Sequence, residues 1–197
     1  MSSVICEAGR NLVAVFAVGL AIKLMDDHLD AVEDTDAEGN LATRLGRGVS
    51  AYALLSYAVA AWLNPTWALT FFLASYACGM LGSWTWWLPS GLPAWTETAL
   101  VLLLGFAWAG WREMGSATAF VLGIQLLDDV IDLSRDGYAM RVNLAHRWGK
   151  VEATLAGVTL VLVALLLAGA KTLLALLALP LVLYCAAAPG RGKGEKV

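Results

Sequence analysis

The chain has 197 residues, of which 59% are hydrophobic and only 15% charged, with a net charge of −3 and a mean hydropathy of +0.69. An ordinary soluble domain is roughly a quarter charged, and a globule of this size could not hide so much apolar surface. Composition therefore excludes a disordered chain, a nucleic-acid binder and a disulfide scaffold, and points to a single integral membrane domain over 1–197. Cys6, Cys78 and Cys185 are dispersed and read as small packing residues rather than bridges or a zinc site. The N-terminus lacks the basic start and cleavage site of a signal peptide.

Charges come in bunches, and the neutral stretches between them predict the spans. The first helix runs over about Asn11–Asp30, apolar through Met25 and then abruptly acidic. No Asp, Glu, Lys or Arg occurs from Gly48 to Thr96. That stretch is too long for one helix, and Asn64-Pro65 and the Pro89, Gly91, Pro93 cluster divide it. It predicts helices over about Ser50–Leu63 and Trp67–Leu88, with Pro93 opening the next, about Pro93–Trp111. After a turn at Arg112–Gly115 come about Ser116–Leu133, Ala153–Ala170 and Thr172–Ala188. The expected fold class is all-α, a polytopic transmembrane helix bundle of about seven spans, several shorter than the roughly 20 residues that cross a bilayer core.

Lys and Arg set the expected orientation. Arg44, Arg47, Arg135, Arg141, Arg147, Lys150 and the basic tail lie on the side of the acidic segments, against Arg10, Arg112 and Lys171 opposite. The acidic segments and the C-terminus are therefore expected in the cytoplasm, in a plasma or inner membrane. Trp62, Trp67, Trp108 and Trp111 at outer ends and Trp84, Trp86, Trp87 and Trp95 at inner ends read as an aromatic belt against membrane lipid.

The strongest signal is a same-orientation internal repeat, with halves at about 11–111 and 113–197. Ile22-Lys-Leu-Met-Asp-Asp-His-Leu-Asp30 matches Ile124-Gln-Leu-Leu-Asp-Asp-Val-Ile-Asp132. Each copy continues to a further acid, Asp34 and Asp136, and then to Asn-Leu-Ala-X-Arg-X-Gly at Asn40–Gly46 and Asn143–Gly149. Asp26, Asp30 and Asp34 are spaced by four, as are Asp128, Asp132 and Asp136, so each set forms a ladder on one helix face. Asp27 and Asp129 sit about 100° round from the first rung and flank it. Such carboxylates repel, and acids at a helix C-terminus oppose the macrodipole. A cation must compensate, and hard oxygen ligands suit Mg²⁺, with Mn²⁺ as a substitute. Arg44, Arg47, Arg141, Arg147 and Lys150 just beyond the acids suit the outer oxygens of a diphosphate. Asn40 and Asn143 either orient phosphate or cap the following structure. His28 and His146 read as polar bystanders.

Asp26-Asp27-His-Leu-Asp30-Ala-Val-Glu-Asp34 resembles the first aspartate-rich motif, (N/D)DxxDxxxD, of the UbiA superfamily of intramembrane prenyltransferases. Asp128-Asp129-Val-Ile-Asp132-Leu-Ser-Arg-Asp136 resembles the second, DxxxDxxxD, and Gly137 to Gly149 resembles the loop that follows it. Motifs and loops cover about a quarter of the chain. The first loop departs from the family, carrying Asn40-Leu-Ala-Thr-Arg44 in place of the usual Arg-Pro segment. The resemblance implies a compact member without the family's first and last spans. It implies a prenyl diphosphate held with Mg²⁺ between the two acidic segments, and a prenyl group transferred to a lipophilic or aromatic acceptor. Carried over residue by residue, Asp26, Asp30, Asp34, Asp128, Asp132 and Asp136 would hold metal, while Arg44, Arg141 and Lys150 would hold diphosphate. So compact a chain would leave its cavity open to lipid or close it as a homodimer. A reduced relative that has lost its acceptor site would act as a terpene cyclase or a diphosphate-releasing enzyme.

Two other classes compete. Asp136-Gly137-Tyr-Ala-Met-Arg141 partly imitates the DGxxAR of CDP-alcohol phosphotransferases, but Gly149-Lys-Val-Glu-Ala-Thr lacks the two acids that motif then needs. A divalent-cation carrier or sensor would put its acids mid-membrane, whereas these lie at helix ends beside basic loops.

Overall fold

A computed structural model describes residues 2–33, 41–80, 84–135 and 148–187, without the side chains of 2, 30–33, 132, 134 and 135. Among the described residues the regular structure is helical. The elements are α1 (Ser2–Glu33), α2 (Leu41–Leu45), a 3-10 turn (Gly46–Gly48), α3 (Val49–Leu63), α4 (Pro65–Gly79), α5 (Ala94–Arg135), α6 (Lys150–Leu167) and α7 (Gly169–Ala186). Four helical stretches are long and apolar enough to cross a membrane: Ser3–Leu29, Ala94–Ile131 (interrupted at Gly110), Lys150–Leu167 and Gly169–Ala186. They mark the chain as a membrane protein. The 15-residue α3 and α4 fall outside that set, because each is only about 22 Å long against a hydrocarbon core of about 30 Å.

The packing is that of a protein solvated by lipid. Alanines such as Ala14, Ala53, Ala60, Ala74 and Ala164 fill the buried positions, while Leu54, Leu103, Leu155 and Leu166 face outward. Lipid tails are as apolar as leucine, so burial of large side chains drives nothing, and small residues that let backbones approach closely hold the helices together. Hydroxyls turn back onto their own helices, Thr118 onto the carbonyl of Met114 at 2.9 Å and Thr159 onto that of Leu155 at 2.7 Å. Eight of the nine tryptophans are exposed, as a belt against lipid requires. Cys78 is buried, but Cys6 and Cys185 are exposed free thiols, so only the first is the packing residue expected of all three.

The chain divides into two compact units, Met1–Ala68 with Leu174–Val197, and Leu69–Leu173. In the first, α3 packs along α1. The hydroxyl of Ser56 donates to the carbonyl of Ala17 at 2.8 Å. Leu24, Ala42, Val49 and Ala53 form a small core, and Val182 of α7 lies 3.1 Å from where a Cβ on Gly19 would stand. Asn64 is extended (φ −151°, ψ 91°) and separates α3 from α4. Its side-chain oxygen accepts from the backbone N–H of Trp67 at 3.1 Å, and its amide donates to Asn11 at 3.0 Å. An N-cap followed by proline in the first helical position starts a helix efficiently, which is the division expected at Asn64-Pro65.

In the second unit α6 packs on the later part of α5. Gly123 and Gly157 meet there, with the carbonyl of Gly157 2.9 Å from the place of a Gly123 Cβ. The 42 residues of α5 are two helices, 94–109 and 111–135, broken at Gly110 (φ 83°, ψ 166°). The chain doubles back there. Met114 Sδ lies 2.5 Å from where a Cβ on Gly105 would stand, whereas in a straight helix nine residues would separate them by about 13 Å. The turn expected at Arg112–Gly115 is thus displaced to Gly110, because that φ with that ψ is open essentially to glycine alone.

Other boundaries move as well, and α1 begins at Ser2 rather than near the expected Asn11. The helix expected to run to Leu88 ends by Gly79. Residues 84–95 instead form a small antiparallel turn, in which Trp87 bridges Pro93 and the Ala94 N–H donates to the carbonyl of Trp86 at 2.9 Å. Gly91, at φ +79°, makes the reversal. Tyr76 reaches this region and donates its hydroxyl proton to the Glu97 carboxylate. The break expected at Gly169-Ala170-Lys171 falls at Ala168 (φ −147°, ψ 73°), so Lys171 lies inside α7 rather than in an exposed turn.

Candidate functional site

The backbone of α1 is one continuous helix to Glu33 and carries Asp26, Asp27 and Asp30. The later part of α5 is likewise helical to Arg135 and carries Asp128, Asp129 and Asp132. On such a backbone, positions four apart stand one turn above one another. Asp26 is exposed and Asp27 buried, Asp128 exposed and Asp129 half-buried. Arg44 in α2, Arg47 in the 3-10 turn and Lys150 at the start of α6 are exposed. Asp34, Asn40, Asp136, Arg141, Asn143 and Arg147 lie outside the described residues, as does His146, and of Asp30 and Asp132 only the backbone is described.

Gly46 and Gly149, which close the two Asn-Leu-Ala-X-Arg-X-Gly segments of the sequence, both have positive φ, 51° at the start of the 3-10 turn and 100° just before α6. Each stands directly before its basic residue, Arg47 or Lys150. Helix α3 or α6 then packs back on the helix that bears the acids.

Lys23 is the feature of the first acidic segment that attention to the aspartates alone misses. Its Nζ lies 3.1 Å from Asp26 Oδ2 and 2.9 Å from Asp27 Oδ1. The i, i+3 and i, i+4 spacing puts all three side chains on one side of α1, and that spacing is legible in the sequence. Near these acids, α1, α2 and α3 enclose an apolar groove of about 430 Å³. Leu20, Leu24, Leu41, Leu45 and Leu55 line it, and Leu24 stands within one turn of Asp26 and Asp27.

The second unit holds a buried cation remote in sequence from either ladder. Lys171, 1% exposed, donates to Thr70 Oγ1 at 2.8 Å, to the carbonyl oxygen of Glu113 at 2.8 Å and to Glu113 Oε2 at 3.1 Å. Its ammonium also lies 4.9 Å from the centre of the Phe71 ring. All three of its protons are thereby used. An ionised group inside an apolar bundle is sustained only by such partners. Nothing in the linear order of residues signals this cluster, because Lys171 reads there as one more charge in a turn.

Carboxylate oxygens are the hard donors that Mg²⁺ prefers, so the chemistry of the ladders fits that ion. Among the described residues, no three His, Cys, Asp or Glu side chains gather into a metal cage. The chain matches no family model, no curated protein and no solved structure.

Proposed function

We propose that the chain is a Mg²⁺-dependent intramembrane prenyltransferase, related to the UbiA superfamily. It ionises an allylic prenyl diphosphate and transfers the prenyl group to a small lipophilic or aromatic acceptor. The observation that carries this reading is the duplicated segment: four acids in register, then a basic loop, twice in one apolar chain. The continuous helical backbone under Asp26 to Asp30 and under Asp128 to Asp132 supports it. So do the positive-φ glycines closing both loops.

Asp26, Asp27, Asp30 and Asp34 in one copy and Asp128, Asp129, Asp132 and Asp136 in the other would hold the metal. Bound there, Mg²⁺ supplies neutralising charge for a departing diphosphate. Arg44, Arg47, Arg141, Arg147 and Lys150 hold the diphosphate oxygens through charge-assisted hydrogen bonds, with Asn40 and Asn143 orienting them. The allylic C–O bond breaks with its electron pair leaving on the diphosphate. The acceptor forms the new bond to the allylic carbon and releases its proton. The apolar lining beside the first ladder receives the hydrocarbon chain and keeps water from the cationic carbon.

The same reading takes the chain as seven spans, α3, α4 and both arms of α5 included, with the acidic segments and C-terminus cytoplasmic. The excess of Lys and Arg beside the acids supports that orientation.

The test is diphosphate release by purified full-length protein from allylic prenyl diphosphates of several chain lengths, with products identified by mass spectrometry. Release is expected with Mg²⁺ or Mn²⁺ and not with EDTA, and Asp30→Ala or Asp132→Ala is expected to abolish it. Full activity in either variant would overturn the reading.

A further inference from the structure

The turn at residues 84–95 lies between α4 and α5 and carries no charge, since no Asp, Glu, Lys or Arg occurs from Gly48 to Thr96. Trp84, Trp86, Trp87 and Trp95 on it are 48%, 69%, 76% and 49% exposed. So much bare indole on an uncharged segment marks an interaction surface. Consecutive side chains of a paired, extended segment project to opposite faces. Trp86 and Trp87 are consecutive at the bridge to Pro93, and both are exposed. A protein partner or a second copy of the chain would cover one face, whereas lipid solvates both. We propose that this hairpin is a membrane anchor that lies in the bilayer interface, with its indoles among the lipid headgroups.

Non-helical backbone can lie against lipid only where its polar groups are satisfied internally. The N–H groups of Leu88, Gly91, Ala94 and Trp95 donate to the carbonyls of Leu92, Leu88, Trp86 and Trp84 at 2.9, 2.9, 2.9 and 3.2 Å. The Leu92 N–H donates to Ser90 Oγ at 3.3 Å, and Pro89 and Pro93 have no N–H to place. Indole suits the boundary itself, with an apolar body and one N–H that reaches a headgroup oxygen. The anchor is thus the hairpin rather than a ring of helix ends. Tyr76 of α4 holds its base through the Glu97 carboxylate, and its surface continues into the exposed Phe72 of α4 and Leu100 of α5. Nothing in this recognition is ionic, so it is indifferent to the charge of the headgroup. It stands apart from the metal and prenyl readings.

The test is spin-label accessibility in the full-length protein in phosphatidylcholine nanodiscs. The exposed thiols are removed by Cys6→Ser and Cys185→Ser, and a nitroxide is placed at Thr85→Cys, an exposed position between Trp84 and Trp86. A second protein carries it at Leu103→Cys, 65% exposed in the apolar run of α5, as the reference for hydrocarbon. Power saturation compares relaxation by oxygen, which concentrates in lipid, with relaxation by a water-soluble nickel chelate. The label at position 85 is expected to favour oxygen, less strongly than the label at 103. Adding Trp86→Ser and Trp87→Ser is expected to shift it toward the nickel chelate, with circular dichroism confirming the helices. Should that double variant fail to fold, the two single variants carry the same comparison. Exchanging the lipid for phosphatidylglycerol, or raising the salt concentration, is expected to leave the label where it is. A label that favours nickel from the start overturns the proposal, because the hairpin then stands in water. A label reached by neither reagent overturns it in favour of a protein partner or a second copy. A label as oxygen-rich as that at 103, one unmoved by loss of the indoles, or one that follows salt overturns it as well.

Discussion

Lys171 and Glu113, far apart in sequence, are tied twice: the lysine ammonium donates to the glutamate's carbonyl oxygen and to its carboxylate. Lys171 is almost wholly buried while the Glu113 side chain keeps 33% of its surface. Removing one partner of a buried pair strands the other charge. Lys171→Met is therefore expected to destabilise the fold by about 3 kcal/mol, the low end of that effect because Glu113 is partly exposed. The double variant Lys171→Met/Glu113→Gln should recover part of the loss. Denaturant unfolding in mixed micelles measures both, and a Lys171→Met variant as stable as wild type would show that the pair contributes nothing.

Gly123 and Gly157 let α5 and α6 touch. A methyl group at either position meets the other's carbonyl oxygen at about 3 Å, and backbone cannot swing away as a flexible side chain can. Gly157→Ala and Gly123→Ala are each expected to cost about 1–3 kcal/mol, as overpacking does. Gly9 has nothing within 4 Å of its Cβ position and lies inside α1. Gly9→Ala is expected to be neutral or to stabilise, since alanine is the better helix former by roughly 1 kcal/mol. Thermal melts of the three variants should separate in that order.

The reversal at Gly110 depends on a backbone conformation that a Cβ opposes. No neighbour lies within 4 Å of its Cβ position, so crowding does not contribute. Gly110→Ala is expected to cost about 1–3 kcal/mol from backbone strain alone. Gly110→Val should cost at least as much. Equal stability of all three proteins would show that the turn relaxes to an ordinary helical bend.

Asn64 acts as acceptor at the start of α4 and as donor to Asn11 of α1. The two roles can be separated. Asn64→Ala removes both and is expected to cost about 1–2 kcal/mol, in the range of a lost N-cap. Asn64→Asp keeps the cap oxygen and loses the donor to Asn11, so it should fall between wild type and Asn64→Ala. An Asn64→Asp variant no better than Asn64→Ala would show that the cap itself is worth little here.

Of the candidate site, the acids and their basic loops are visible in the linear order of residues, and so is the spacing that lets Lys23 meet Asp26 and Asp27. The contact itself is not, because a lysine before two aspartates on an apolar helix can equally turn outward. The existence of the long apolar helices is legible, since long neutral stretches of helix-forming residues leave the backbone few alternatives in lipid, but the short α2 is not. Helix ends are less legible. Asn64 and Pro65 mark where α3 gives way to α4, but Gly110 breaks α5 before the charged Arg112–Gly115 stretch, because a positive φ, not a polar side chain, is what this tight reversal requires.

Composition and the local order of residues are enough to make this chain apolar and helical and to show an acidic segment written twice, since such patterns act locally along the chain. Tertiary structure decided which charges are buried and who meets them: Lys171 finds Thr70 from 101 residues away. Such a pairing depends on which helix faces come together, and interactions between residues distant in the chain leave no local pattern to read.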